Sequence, residues 1–171
     1  MGFNEDLKLI LEFEGGYVNN PNDSGGATNK GITQYTYSNY RQNHKLSFNP
    51  VEKISDDEVS AIYTDFYNSC GADKVTLINP RLATQLFDFA INAGPSQAIK
   101  TLQRSLGVYA DGIIGPITLN SINNIIDQAR VSKSFALFRV AFYFKLVQMK
   151  PSQRQFLMSW LSRPLIIEGL A

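Results

Sequence analysis

The chain has 171 residues, 44% of them apolar and 12% aromatic, enough to bury the core of one domain or of two small subdomains. Its 16 basic and 15 acidic residues leave a net charge of +1, which excludes a strongly basic nucleic-acid binder in bulk. A single cysteine and a single histidine exclude a disulfide framework and an ordinary zinc site.

Asn4 can cap a first helix, and Glu5 and Asp6 suit the positive end of its dipole. Leu7, Ile10, Leu11 and Glu14 then fall at i, i+3, i+4 and i+7, one face of a helix that Gly15 or Gly16 ends. Three of those positions are hydrocarbon and the fourth is a carboxylate. Burial and the negative end of the dipole both disfavour its charge, so the pattern predicts a raised pKa and a general acid. A glutamate that snorkels to water at the rim is the bland alternative.

Residues 15–33 carry five glycines, several Asn and Asp and one proline, a run of turns with room for a short irregular hairpin. Such a loop lets backbone approach a ligand closely. It projects Asp23, Thr28 and Thr33 beside Glu14. Glycoside hydrolysis needs a second group opposite the acid, to activate water or to stabilise the oxocarbenium ion. Asp23 is the candidate, with Thr28 fixing the water or the aspartate; Asp88 and Asp111 are alternatives. The Asn/Asp/Gly run at 19–25 has no acidic residue in the closing position of a calcium loop. No metal or cofactor is expected.

The remaining elements are helical. Ser55-Asp-Asp-Glu58 is a capping box ahead of Val59, Ile62, Tyr63 and Phe66, closed by Gly71. Cys70 lies on the apolar face of this helix as a buried thiol. Asn79-Pro80 opens the next helix, with Leu82, Leu86, Phe89, Ala90 and Ala93 inward and Asp88 as a solvated or capping group. Ser96 opens another, Gly115-Pro116 a third after the loop holding Asp111. A long helix runs from about Val131 to Lys150, and its most apolar stretch, Phe135 to Val147, reads as a buried helix. A short last helix carries Phe156 and Trp160 and stops before Pro164. His44 lies in a polar stretch, at the surface. No run reaches the length of a membrane span. Met1 to Asp6 lacks the charge and apolar core of a signal peptide. These features predict a mainly α, compact fold with a Gly-rich loop or short hairpin.

Glu14-Gly-Gly-Tyr17, Pro21-Asn-Asp-Ser-Gly-Gly-Ala-Thr28 and Gly31-Ile-Thr33 together resemble the N-terminal signature of glycoside hydrolase family 108. That family comprises N-acetylmuramidases of bacteriophages and bacteria, some described as secretion activator proteins. The resemblance implies that Glu14 is the catalytic glutamate. The order Glu, eight residues, Asp, then Thr is also similar to the phage-type lysozyme triad, with Thr28 one residue nearer Asp23 than in that pattern. Phe87-Asp-Phe-Ala-Ile-Asn-Ala-Gly94, Leu102-Gln-Arg-Ser-Leu106 and Asp111-Gly-Ile-Ile-Gly-Pro-Ile-Thr118 resemble the peptidoglycan-binding segment that accompanies this unit. Trp160-Leu-Ser-Arg163 is similar to its Trp-x-Asn-Arg ending, with Ser162 in place of Asn.

What the resemblance implies is a lysozyme-like muramidase subdomain over 1–93 and a helical peptidoglycan-binding-like subdomain over 94–171, packed as one unit. The expected substrate is bacterial peptidoglycan, cut at the β-1,4 bond between N-acetylmuramic acid and N-acetylglucosamine. A lytic transglycosylase and a non-catalytic wall-binding protein are the other readings. Tyr17, Thr33, Tyr35, Tyr37 and Asn92 suit a sugar groove, because sugars present apolar ring faces and hydroxyls. Packing is the alternative for each tyrosine, a structural cap for Asn92. The expectation is a monomeric endolysin-like enzyme, held in the host cytoplasm until release to the wall or carried by a virion.

Overall fold

The structure is a computed structural model that describes residues 2–19 and 26–170. Those residues form nine α-helices and a two-stranded hairpin, the mainly α fold that the sequence predicts. They divide into two compact units, Phe3–Asp65 and the chain from Phe66 onward together with Gly2.

The first unit contains α1 (Phe3–Phe13), strands β1 (Thr28–Asn29) and β2 (Ile32–Thr33), α2 (Gln34–Asn43) and most of α3 (Asp56–Ser69). Helix α1 begins ahead of Asn4, which is therefore a helical residue and not its cap. Leu7 and Ile10 are buried as the spacing predicts, and Leu11 and Glu14 are half-buried. Helix α2 lies in a Tyr/Asn/Gln-rich stretch without apolar periodicity, so nothing in the sequence marks it. Its inward residue is Tyr37, fully buried and thus a packing residue, not a groove residue. The Tyr37 hydroxyl donates to Glu58 Oε2 at 2.7 Å and accepts from Arg41 and Asn49, each at 3.0 Å. Arg41 also pairs with Glu58. Glu58 completes the capping box of α3: its carboxylate accepts from the Ser55 N–H at 3.1 Å, and its own N–H donates to Ser55 Oγ at 3.2 Å. One carboxylate thus starts α3 and fastens α2 to it.

The second unit is built on α5 (Pro80–Ala93), buried without interruption from Leu82 to Ala90. Around it pack α4 (Ala72–Val75), α6 (Pro95–Leu106), α8 (Gln128–Met149) and α9 (Leu157–Glu168), while α7 (Pro116–Asn123) packs on α6. Asn79 caps α5 by accepting from the Leu82 N–H at 3.0 Å. Gly94, at φ 86°, turns the chain directly into α6, whose first residue is Pro95. Phe89 meets Phe135, Phe142 and Tyr143 edge to face, and Tyr143 stacks on Trp160 at 4.9 Å. Cys70 is buried, and burial pushes its thiol up to about 12.

Three expectations fail in this unit, two of them for one reason. Asp88 is neither solvated nor a cap; it is fully buried and paired with both Arg139 and Arg163. Gln85 beside it donates to the Pro164 carbonyl at 2.9 Å and to Glu168 at 3.0 Å, and Ser132 donates to Glu168. Asp88 thus answers both guanidiniums in the core, where a buried charge has to be paired. The same contacts carry α9 through Pro164 to Glu168, beyond the predicted stop. A mid-helix proline costs about 3 kcal/mol, and the bonds to Gln85 and Ser132 with the burial of Ile167 offset it. Sequence shows the proline and not the partners. Third, α8 buries Val131, Phe135, Arg139 and Tyr143 but exposes Leu137, Phe138 and Phe144, so the stretch from Phe135 to Val147 is buried on one side only and not the buried helix expected. No described helix is long and apolar enough to cross a membrane.

Candidate active site

The site is assembled from the end of α1 and the hairpin after it. The Glu14 N–H donates to the Ile10 carbonyl at 3.1 Å, so its backbone is the last hydrogen-bonded position of α1. The carboxyl leaves the helix half-buried.

Strands β1 and β2 pair antiparallel, Thr28 with Thr33 and Asn29 with Ile32. Lys30 and Gly31 form the two-residue tip, at φ 50° and 75°. Two left-handed residues in succession match the twist of a tight hairpin, and glycine is favoured there. Gly31 also meets a second demand. A Cβ on it would lie 2.8 Å from both Cγ and Cδ of Glu14 and 2.6 Å from the Tyr63 hydroxyl. The Glu14 side chain therefore packs on the bare α-carbon of the hairpin tip. Tyr63, from α3, donates to the Lys30 carbonyl at 2.7 Å, and Lys30 pairs with Asp56 at the start of α3. Asn29 Nδ2 donates to the Val51 and Glu52 carbonyls at 3.1 and 3.2 Å. The hairpin tip is thus fixed by residues of α3 and of the segment before it, and with it the surface against which Glu14 rests.

Thr28 and Val18 exchange backbone hydrogen bonds, both at 2.8 Å, which lays the Tyr17-Val18 segment along the hairpin. The hydroxyl of Thr33 caps α2, accepting from the Thr36 N–H at 3.2 Å. Tyr17 and Tyr35 present their rings outward, 42% and 75% exposed. Glu14, Tyr17, Thr28 and Thr33 are therefore gathered around one hairpin. Asp23 lies outside the described residues. Asn92 belongs to the second unit, exposed, and donates to the Asp88 carbonyl of its own helix at 2.9 Å. Asp88 itself is no second carboxylate for this site, since both its oxygens are held by buried arginines.

Asp111 has a structural task of its own. Gln103 Nε2 donates to Asp111 at 2.7 Å and to the Ile113 carbonyl at 3.0 Å, while its Oε1 accepts from the Gly112 N–H at 2.9 Å. The Gln103 bond, with help from the Ile113 N–H, holds the Asp111 carboxyl below its ordinary value. This buried glutamine braces the Asp-Gly-Ile-Ile-Gly loop, which exposes Ile113, with Tyr109 before it and Ile117 of α7 after it also exposed.

Sequence reading passed over two residues of the first site, Gly31 as a contact and Tyr63. Lys30-Gly31 between two short β-capable pairs is a hairpin signal. Nothing short of the structure brings Tyr63 to it.

The family profile described as Glycosyl hydrolase 108 matches residues 7–94, and that described as Predicted Peptidoglycan domain matches residues 97–165. No curated protein matches the chain. Twelve chains of known structure do. One is SagA of Brucella abortus, 30% identical, with a TM-score of 0.81 over 98% of this chain and 91% of that one. The two profiles make this a peptidoglycan-related glycosidase. With half of its length under the first profile and a 30% identical structure along nearly all of it, the chain belongs to glycosyl hydrolase family 108.

Proposed function

We propose that the protein is an N-acetylmuramidase that hydrolyses the β-1,4 bond between N-acetylmuramic acid and N-acetylglucosamine in peptidoglycan. The observation that carries the proposal is the placement of Glu14, half-buried at the end of α1 and seated on Gly31, inside the segment that matches the glycosidase profile. Glu14 donates its proton to the glycosidic oxygen as the bond from muramic C1 breaks. Water adds to C1, with Asp23 either taking the water's proton or stabilising the oxocarbenium ion that precedes it. Thr28 fixes that water or the aspartate.

The exposed rings of Tyr17 and Tyr35 offer apolar faces to the sugars, and Thr33 stands on the same hairpin. Residues 1–93 carry the chemistry, and 94–171 hold the glycan. The protein works as a monomer on the wall.

Mass spectrometry of the fragments released from purified peptidoglycan tests the bond assignment. Reducing muramic ends are the expected product. Anhydro-muramic ends would replace hydrolysis by transglycosylation, in which the muramic C6 hydroxyl takes the place of water. Fragments ending in reducing N-acetylglucosamine would place the cut at the other glycosidic bond and overturn the proposal.

A further inference from the structure

The near-neutral charge of the chain conceals a strong segregation. Residues 128–167 hold seven of the 16 Lys and Arg and none of the 15 Asp and Glu. The rest of the sequence therefore carries nine basic residues against fifteen acidic. Of the seven, Arg139 and Arg163 are buried against Asp88. The other five, Arg130, Lys133, Lys145, Lys150 and Arg154, are exposed.

The same segment exposes large apolar side chains. On α8, Lys133, Leu137, Ala141 and Phe144 follow one another along the side opposite buried Arg139, at the spacing of one helix face. Leu137 is 70% exposed and Phe144 48%. On α9, Met158 and Leu165 lie on the outward side, 76% and 42% exposed. The two helices pack on each other and both pack on α5, so their outward sides look away from α5 together. The result is a pair of outward helix sides that expose large apolar residues among five cations, with the α8 cap Asp127, beside Arg130, Lys133 and Leu137, as an exposed carboxylate at their edge.

Isolated exposed apolar residues need no explanation, but a contiguous face of them marks a binding surface. We infer that the outward face of α8 and α9 is a peripheral docking surface for an anionic phospholipid bilayer. Charge chooses this occupant. A second copy docked face to face would set five exposed cations against five. A soluble polyanion would satisfy the cations and leave Leu137, Phe144, Met158 and Leu165 in water. An anionic bilayer satisfies both, with headgroups for the lysines and arginines and the acyl boundary for the hydrocarbon.

The test is co-sedimentation of the full chain with vesicles of phosphatidylethanolamine and phosphatidylglycerol, against vesicles of phosphatidylcholine alone. Two double variants accompany the wild type, Leu137→Ser/Phe144→Ser and Lys133→Gln/Lys145→Gln, each at exposed positions and each checked for helicity by circular dichroism. Wild type is expected to pellet with the anionic vesicles and not with the neutral ones. The lysine variant should bind them roughly 25-fold more weakly, about fivefold per charge, and the Leu/Phe variant roughly tenfold or more. No binding to anionic vesicles overturns the inference. So does binding that ignores Leu137 and Phe144, which leaves a plain polyanion surface. A dimer seen by sedimentation velocity, lost in the Leu/Phe variant and unaccompanied by vesicle binding, overturns it in favour of a second copy. Vesicle binding makes no use of Glu14, so this outcome is independent of the muramidase proposal.

Discussion

Glu14 rests on Gly31: the glycine α-carbon is so near that an added methyl would meet Cγ and Cδ of the glutamate at 2.8 Å. The acid expected to do the chemistry is thus positioned by a residue that has no side chain. Gly31 also sits at φ 75°, where any other residue is strained. Gly31→Ala should therefore cost roughly 1–3 kcal/mol of stability and displace the Glu14 carboxyl. The expected readout is a lower melting temperature with a larger proportional loss of peptidoglycan turnover. Turnover equal to wild type at a temperature where the variant is fully folded would show that Glu14 does not depend on this contact.

Tyr63 holds the same hairpin from α3 through its bond to the Lys30 carbonyl. Tyr63→Phe keeps the ring and leaves that carbonyl without the bond, a loss of about 1–2 kcal/mol. For a chain of this size the melting temperature should fall by roughly 2–6 °C. An unchanged melting temperature would place the fixing of the hairpin elsewhere.

In the second unit the largest single effect is expected at Asp88. Replacing it by Asn keeps the shape and leaves the guanidiniums of Arg139 and Arg163 buried without their counter-charge. Breaking such a network costs about 3–5 kcal/mol, a large part of the roughly 5–15 kcal/mol that holds a domain folded. Denaturant titration should show the midpoint of Asp88→Asn well below that of wild type. Equal midpoints would mean that the arginines reach other partners.

Glu58 makes the first unit sensitive to acid. Its burial raises the carboxyl's pKa, but the bonds from Tyr37 and Ser55 and the charge of Arg41 outweigh that and hold it below its ordinary 4.5. A depressed folded pKa gives stability that is complete above 4.5 and is lost as pH falls through the folded value. Glu58→Gln should thus be less stable than wild type at pH 7, with the gap closing below pH 4.5. A gap that stays constant down to pH 3 would contradict the assignment.

Cys70 should be chemically silent. A thiol pushed up to about 12 inside the core is neither ionised nor accessible at neutral pH. A disulfide reagent should label it only in denaturant. Rapid labelling of the native protein would mean that this part of the core opens readily.

The sequence carried the helices wherever an apolar period and a cap coincide. Ser55 with Glu58, Asn79 with Pro80, and Gly115 with Pro116 all mark helix starts that the structure keeps. It was silent on α2, because that helix is held by one buried tyrosine and a capping threonine instead of an apolar stripe. It misread Asp88 and Pro164 for a shared reason: each is accommodated by partners more than fifty residues away, and separation in sequence hides such pairs. At the site, Glu14 and the glycine-rich turn were legible because helix end and turn chemistry are local. The supports from Tyr63 and Asn29 come from tertiary contacts and were not.

The central claim is that Glu14 is the acid of a wall-cleaving glycosidase. The most direct measurement is the clearing of a purified peptidoglycan suspension by wild type and by Glu14→Gln, at equal concentrations of protein matched by circular dichroism. Wild type should clear the suspension, and the folded variant should be slower by about 10²–10⁴-fold, the usual worth of a general acid. Clearing by Glu14→Gln at the wild-type rate, or a wild type that binds the wall and releases nothing, would contradict the claim.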